Sequence, residues 1–237
     1  MSDLAPKAEL LRSLARLVRG LSSLFWGLPL TLLSSVQIAR TDWFDFLNSF
    51  AMLPPIIANA MLFYGLTQMA HFQKQERIWI KSLDRAQILA FVNLGLSPFL
   101  FWWHRLPFVS LYGMAIFLLA ISSLLFLFNL NRVLQRLSAM LPDETLRHET
   151  KLFGGFNRCL LLTIPILLLI YFALRQIQHP PPFLIPLFHR MEPVLVVTGR
   201  IGIWLLTFLF LMPLAMTMTL IWKIKDAIFA SVFDADR

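Results

Sequence analysis

One charged side chain, Arg200, lies inside a long apolar stretch of this sequence and could do chemistry there. It is flanked by Gly199 and Gly202, between Pro193 and Trp222. Because a charge inside a bilayer is costly, such a residue indicates an anion site or a pairing contact with another subunit. The two glycines would allow a neighbouring backbone to approach closely. The alternative is that the long side chain reaches outward to the headgroups and acts only as an anchor.

The histidines and the single cysteine offer no metal or haem site. No histidine falls in the middle of an apolar stretch, and Cys159 has no second thiol to join it as a ligand. His179 and His189 share one segment with Glu192, but their spacing fits no standard metal site. The sequence therefore predicts neither a metal nor another cofactor.

Catalytic motifs are missing as well, and the remaining polar groups of the apolar stretches are amides and hydroxyls. The sequence contains no Cys-x-x-Cys, Gly-x-Ser-x-Gly, His-Glu-x-x-His or Walker A pattern. We therefore expect a protein that is not an enzyme. Asn59 and Asn93 could meet between two neighbouring helices. Since interhelical hydrogen bonds in lipid are worth about 0.6–2 kcal/mol each, these amides indicate structural stabilisation rather than a permeation path.

The chain that carries these residues is far more apolar than a water-soluble protein. Of its 237 residues, 58% are hydrophobic and 14% are charged, and its mean hydropathy is +0.69. Soluble domains are about 45–50% apolar and about 25% charged. Because so little charge cannot cover a surface in water, the sequence predicts an all-α, polytopic transmembrane bundle.

Six stretches are long and apolar enough to cross a bilayer, which takes about 20 residues. Pro54 and Pro55 leave open whether the first residues of the second stretch, 46–53, belong to that span or to an outer interfacial helix. The six predicted spans cover residues 21–39, 46–70, 86–103, 107–130, 159–174 and 193–222.

The basic residues orient these spans. With a cytoplasmic N-terminus, sixteen Lys and Arg residues fall in the predicted inner segments and four in the outer ones. Because cytoplasmic loops carry such an excess, both termini are predicted to be cytoplasmic. The net charge of +8 is accordingly interpreted as contact with anionic lipid of the bilayer, and no nucleic-acid partner is expected. The expected location is the bacterial inner, or plasma, membrane.

Tryptophan placement agrees with these boundaries. Trp79 and Trp222 fall at the predicted inner boundary, where an indole can bury its ring and keep its N–H near water. Trp26 lies deeper in its span, and we expect it to be packed between helices.

Two further segments lie outside the predicted spans, one before the first span and one on the outer side. Residues 8–20 carry leucines at helical spacing with arginines on another face. This pattern predicts an amphipathic helix that either lies on the inner leaflet or extends the first span. Residues 175–192 form a Pro-rich outer loop, which we expect to fold back onto the outer membrane surface.

The longest inner segment, residues 131–158, is predicted to be a cytoplasmic helical connector. Asp143 and Glu144 are expected to start a helix, because acidic residues favour its positive end. Arg147 is spaced to pair with Asp143, and Gly154-Gly155 is expected to end the helix. Asp143, Glu144 and Arg147 are the candidate partner-facing residues. The alternative is a solvated connector without a partner.

Together these features predict a non-catalytic integral membrane subunit that scaffolds or stabilises a larger membrane protein complex. Its partners would be other membrane protein subunits. An alternative is the permease half of a transporter energised by a separate ATPase. Six spans with both ends inside, a basic amphipathic N-terminal helix and a folded outer loop are also the general layout of exporter permeases.

Overall fold

Regular structure in the described part of the chain is entirely helical. The computed structural model describes residues 4–40, 50–72, 76–141, 143–176, 208 and 211–230, and the side chains of residues 4–11, 40 and 168–176 lie outside that description. Residues 211–230 are helical and are called the C-terminal segment. The other helices are α1 (Leu4–Arg40), α2 (Leu53–Met69), α3 (Arg77–Leu96), α4 (Phe99–Arg105), α5 (Ser110–Met140) and α6 (Glu144–Gln176).

Four of the described helical segments are long and apolar enough to cross a membrane, which confirms the transmembrane class. They are Arg12–Ala39, Phe50–Met69, Arg77–Arg105 and Ser110–Met140. They correspond to the first four predicted spans. The fifth predicted span, residues 159–174, lies within α6, and the sixth, residues 193–222, overlaps the description only at residue 208 and from residue 211 onward.

A glycine contact brings α1 and α2 together. The leucines of α1 that recur every three or four residues, such as Leu17, Leu21 and Leu24, are fully buried. Between them, a Cβ added to Gly20 would lie 2.6 Å from the carbonyl oxygen of Gly65, and one added to Gly65 would lie 2.9 Å from that of Gly20. Small residues at such a crossing let two backbones touch, as in other membrane helix pairs.

The helix boundaries differ from the predicted spans at three places. α1 is continuous from Leu4 to Arg40, so residues 8–20 continue directly into the first span. α2 begins at Leu53, with prolines in its first turn, and residues 50–52 form a 3₁₀ turn before it. α3 begins at Arg77, nine residues before the predicted third span.

A proline turn separates α3 from α4. Pro98 has no N–H and cannot bond to the carbonyl of Leu94, four residues earlier. The hydroxyl of Ser97 donates to that carbonyl instead, at 2.8 Å. The predicted span of residues 86–103 is therefore made of two helices joined by a satisfied turn.

The predicted helix start in the connector is confirmed, but the predicted helix stop is wrong. Asp143 Oδ1 caps α6 by accepting hydrogen bonds from the backbone N–H groups of Thr145 and Leu146, at 2.9 and 3.1 Å. The hydrogen bond from the Thr145 hydroxyl, followed by that from the Leu146 backbone, holds the pKa of the Asp143 carboxyl below its ordinary value. α6 then runs through Gly154-Gly155 without a break.

Gly154 lies against α5 at the place of the predicted break, whereas a Cβ on Gly155 would meet no atom within 4 Å. A Cβ on Gly154 would collide with the side-chain amide of Gln135 on α5. The missing side chain of Gly154 leaves room for the Gln135 side chain, and the helix continues despite the low helix propensity of glycine.

Two tryptophans, Trp79 and Trp26, occupy the opposite environments from those predicted. Trp79 is fully buried, whereas Trp26 is 61% exposed. Depth along a helix follows from sequence position, but the side of the helix that meets a neighbour depends on how the helices pack.

The C-terminal segment belongs to the same core as α1 and α5. Ile221, Ile224 and Ile228 are buried in the cluster that also holds the α1 leucines. The ring of Trp222 lies 5.8 Å from that of Phe25, centre to centre. Lys223 forms an ion pair with Glu149 of α6. These contacts fix the C-terminal segment against the first and last of the six numbered helices.

Candidate functional site

The described residues that were predicted to carry function do not form one site. Arg200, Gly199 and Gly202 lie outside the described residues. Asn59 and Asn93 are both buried, at 3% and 2% exposure, but they are not joined. The amide of Asn59 donates to the carbonyl of Pro55 in its own helix, at 2.8 Å, and Asn93 Oδ1 has no hydrogen-bond partner.

The predicted partner-facing residues of the connector are only partly as expected. Glu144 and Arg147 are exposed and Asp143 is half-buried. Arg147 does not pair with Asp143. Its Nη2 donates to the carbonyl of Ala139 at 3.0 Å, across the turn that joins α5 to α6. The reason is that Asp143 is engaged as the cap, while the carbonyls at the end of α5 need donors.

A polar cluster that sequence reasoning missed joins α5, α6 and the C-terminal segment. This polar node consists of Asn131, Asn157 and Thr217, all of which have 0% exposure. Asn157 Nδ2 lies 3.0 Å from Asn131 Oδ1, 3.0 Å from Thr217 Oγ1 and 3.2 Å from the carbonyl oxygen of Pro213. The amide of Asn157 is therefore the donor that holds three helices together.

The other members of the polar node complete its hydrogen bonds. Asn131 Nδ2 donates to Thr217 Oγ1 at 3.0 Å and to the Leu127 carbonyl at 2.8 Å. Thr217 Oγ1 donates to the Pro213 carbonyl at 2.7 Å. Asn157 Oδ1 is buried without a partner among the described atoms. The hydrogen bonds that the node does make favour one packing arrangement, because a shifted helix would leave their buried donors and acceptors unpaired.

One sequence signal could have identified Asn131. It shares a helix face with Leu127, Leu130 and Leu134, which are all buried, so it falls on the apolar stripe of α5 rather than in a solvated connector. Asn157 carries no comparable signal, because it lies between Phe156 and Arg158 beside the glycine pair.

A second feature is a basic groove between the ends of α3, α5 and α6, with a volume of about 760 Å³. Its lining contains eight Lys and Arg side chains and no Asp or Glu. Because like charges repel and no acidic group in the lining compensates them, the groove is complementary to an anion. The eight cations are Arg77, Lys81, Arg85, Arg132, Arg136, Arg147, Lys151 and Arg158.

Some of these cations are positioned by the protein and others are available to a ligand. Arg158 Nε donates to the carbonyl of Gly154 at 3.0 Å, and the Arg132 guanidinium lies 5.3 Å from the centre of the Phe128 ring. Lys81, Arg136 and Lys151 make no such contact with the rest of the described chain. At least one ligand-available cation therefore comes from each of the three helices.

Neither metal ligands in the described residues nor similarity to known proteins indicates a function. Within the described ranges, no group of three or more His, Cys, Asp or Glu side chains could hold a metal ion. No protein-family model, curated protein or solved structure matches this chain.

Proposed function

We propose that the chain is a non-catalytic integral membrane subunit that assembles with other membrane protein subunits. The proposal includes six spans, cytoplasmic termini and a bacterial inner membrane location. It is carried by an exposed apolar face on α6, made by Leu152, Phe153 and Phe156. These side chains are 62%, 43% and 52% exposed, yet they precede the predicted fifth span of residues 159–174.

The apolar face of α6 is distinct from the surfaces that α6 uses within the chain. At 100° per residue, its residues centre about half a turn from the groove cations Arg147, Lys151 and Arg158. The intervening side of α6 packs inward through Thr150 and Asn157, which are fully buried. By the predicted spans, this face lies on the cytoplasmic side of the fifth span, where exposed apolar patches mark protein contacts. It therefore supports the proposal of a partner subunit.

The assembly can be tested by copurification. The parent protein, solubilised in mild detergent, is expected to recover a partner subunit in fixed ratio, as measured by mass spectrometry. Changing Leu152 and Phe156 together to Ser should reduce partner recovery about tenfold or more, because each buried apolar side chain stabilises a contact by about 1.5–3 kcal/mol. Phe153 is left unchanged, since the Lys223 ammonium lies 5.6 Å from its ring centre.

The matched control for this test is Phe108→Ser. Phe108 is 98% exposed and precedes α5 at the end far from the connector. The Phe108→Ser variant should recover the partner at the parental level. Recovery of the partner at parental levels with the Leu152/Phe156 double variant would contradict the proposal, as would a parent protein that purifies alone. An ATPase as the recovered partner would instead favour the permease alternative.

Topology has its own test. In a Cys159→Ser background, single cysteines at the Asp42 and His179 positions are expected to react with an impermeant thiol reagent from outside the cell. Cysteines at the Arg77 and Arg147 positions should react only after the inner face is opened, because cytoplasmic segments carry the basic excess. Reversed labelling at either pair would refute six spans with cytoplasmic termini.

A further inference from the structure

We infer that the basic groove binds the headgroup of an anionic phospholipid whose acyl chains lie along α3 and α5. The first observation is the depth of the groove. Arg85 directly precedes Ala86, where the predicted third span begins, and Arg132 follows Leu130, where the predicted fourth span ends. The groove therefore opens at the level where lipid tails give way to phosphates.

The second observation is an apolar track that continues from the groove toward the predicted membrane interior. On α3, Lys81, Arg85, Ile88 and Val92 recur at spacings of four, three and four, so they lie on one face. Ile88 is 62% exposed and Val92 is 39% exposed. Cations at one end of a helix face and open aliphatic side chains at the other fit a molecule that has a charged head and a hydrocarbon tail.

The same arrangement is repeated on α5, which packs against α3. Leu125 and Ile121 precede Arg132 by seven and eleven residues, which places them on the same face of the helix. They are 48% and 39% exposed. Because the groove contains the beginning of α3 and the end of α5, the two tracks run from it in the same direction. A free phosphate or nucleotide would make no use of either track.

The third observation is the charge of the groove. Eight cations without an acidic neighbour in the lining exceed what one singly charged headgroup can pair. Guanidinium groups also bind phosphate oxygens in pairs of hydrogen bonds, which suits a phosphodiester. The groove is therefore suited to a headgroup that carries two or more phosphates, and it fits phosphatidylcholine poorly because that headgroup has no net charge.

This inference goes beyond the proposed assembly, since the basic groove and the apolar face of α6 lie on different sides of that helix. The two can therefore fail independently. A groove variant should lose lipid and keep its partner subunit, whereas the Leu152/Phe156 double variant should lose its partner and keep lipid.

The test is native mass spectrometry and thermal unfolding of the full chain in detergent. Defined lipids are added at equal concentration: cardiolipin with two phosphates, phosphatidylglycerol with one, and phosphatidylcholine. The groove variant changes Lys81, Arg136 and Lys151 to Gln, one from each helix. The control variant changes Arg12, Arg16 and Arg19 to Gln, three exposed residues of α1 that are absent from the groove lining.

The parent is expected to retain cardiolipin most strongly and phosphatidylcholine least. The groove variant should bind cardiolipin about 100-fold more weakly, the loss expected from three cations near an anionic surface. The α1 control should stay within about threefold of the parent at 0.15 M salt, because distant exposed charges are screened. Without lipid, the groove variant should unfold at the same temperature as the parent or higher, since repulsion in the groove is relieved.

Three results would overturn the inference. Equal loss of cardiolipin in both triple variants would show diffuse surface attraction in place of a site. Displacement of the lipid by inorganic pyrophosphate at the same concentration would show a site for free anions. A copurifying acidic protein that is lost from the groove variant, with no lipid preference in the parent, would assign the groove to a protein.

Discussion

Changing Asn157 to Ala is expected to lower the free energy of unfolding by about 3 kcal/mol. The side-chain amide reaches acceptors on α5 and on the C-terminal segment, and hydrogen bonds between membrane helices are worth about 0.6–2 kcal/mol each. Its loss also leaves Asn131 Oδ1 buried without that donor, which adds a desolvation penalty of about 1–3 kcal/mol. The measurement is the thermal midpoint and unfolding free energy in mixed micelles.

Two companion variants separate hydrogen bonding from volume at this position. Asn157→Asp keeps the size of the side chain but replaces the donating amide with oxygen, so it should destabilise the protein at least as much as Ala. Asn129→Ala is the matched control, because Asn129 Nδ2 bonds only to the carbonyl of Leu125 in its own helix, at 2.8 Å. It should cost about 0.5 kcal/mol or less. A stable Asp variant would mean that packing, not hydrogen bonding, matters at the node.

Changing Gly65 to Ala is expected to destabilise the protein by about 1–3 kcal/mol, the range found for overpacked cores. The added Cβ would lie 2.9 Å from the Gly20 carbonyl oxygen and 2.9 Å from Leu24 Cγ. A backbone carbonyl cannot rotate away as a side chain can, so α1 and α2 would have to separate. Gly65→Leu should be worse and should abolish recovery of folded protein from membranes.

The control variant for the glycine contact should not lose stability. A Cβ on Gly95 of α3 would meet no atom within 4 Å. Gly95→Ala should therefore leave stability unchanged or raise it by up to about 1 kcal/mol, because alanine is the better helix former. Equal loss of stability at both positions would show that the close approach of α1 and α2 does not matter.

Local signals in the sequence were sufficient to predict features that depend on one helix alone. The transmembrane helical class followed from composition, and the start of α6 followed from Asp143, because a cap needs only the next turn of its own helix. Cytoplasmic termini and the fifth and sixth spans stay predictions.

Features that depend on a contact between two helices were not predicted correctly from the sequence. Gly154-Gly155 is indistinguishable from a helix stop until Gln135 is known to lie against it. Asn59 was expected to reach Asn93, but its amide donates to the Pro55 carbonyl in its own helix. The basic residues predicted topology and contact with anionic lipid, and Arg147 was a candidate partner contact. The groove that collects eight of them was not predicted, because nothing local shows that three helix ends converge.

The polar node also determines when the chain can finish folding. Asn131 and Thr217 are 86 residues apart, so at about 5–20 residues per second the ribosome delivers the second about 4–17 s after the first. Asn157 follows Asn131 by 26 residues. For the remaining 60 residues, about 3–12 s at that rate, the two asparagines have each other but lack the hydroxyl that completes the node. Newly made chains therefore carry an unfinished polar surface between α5 and α6. Membrane chaperones and quality-control proteases have that window in which to recognise it.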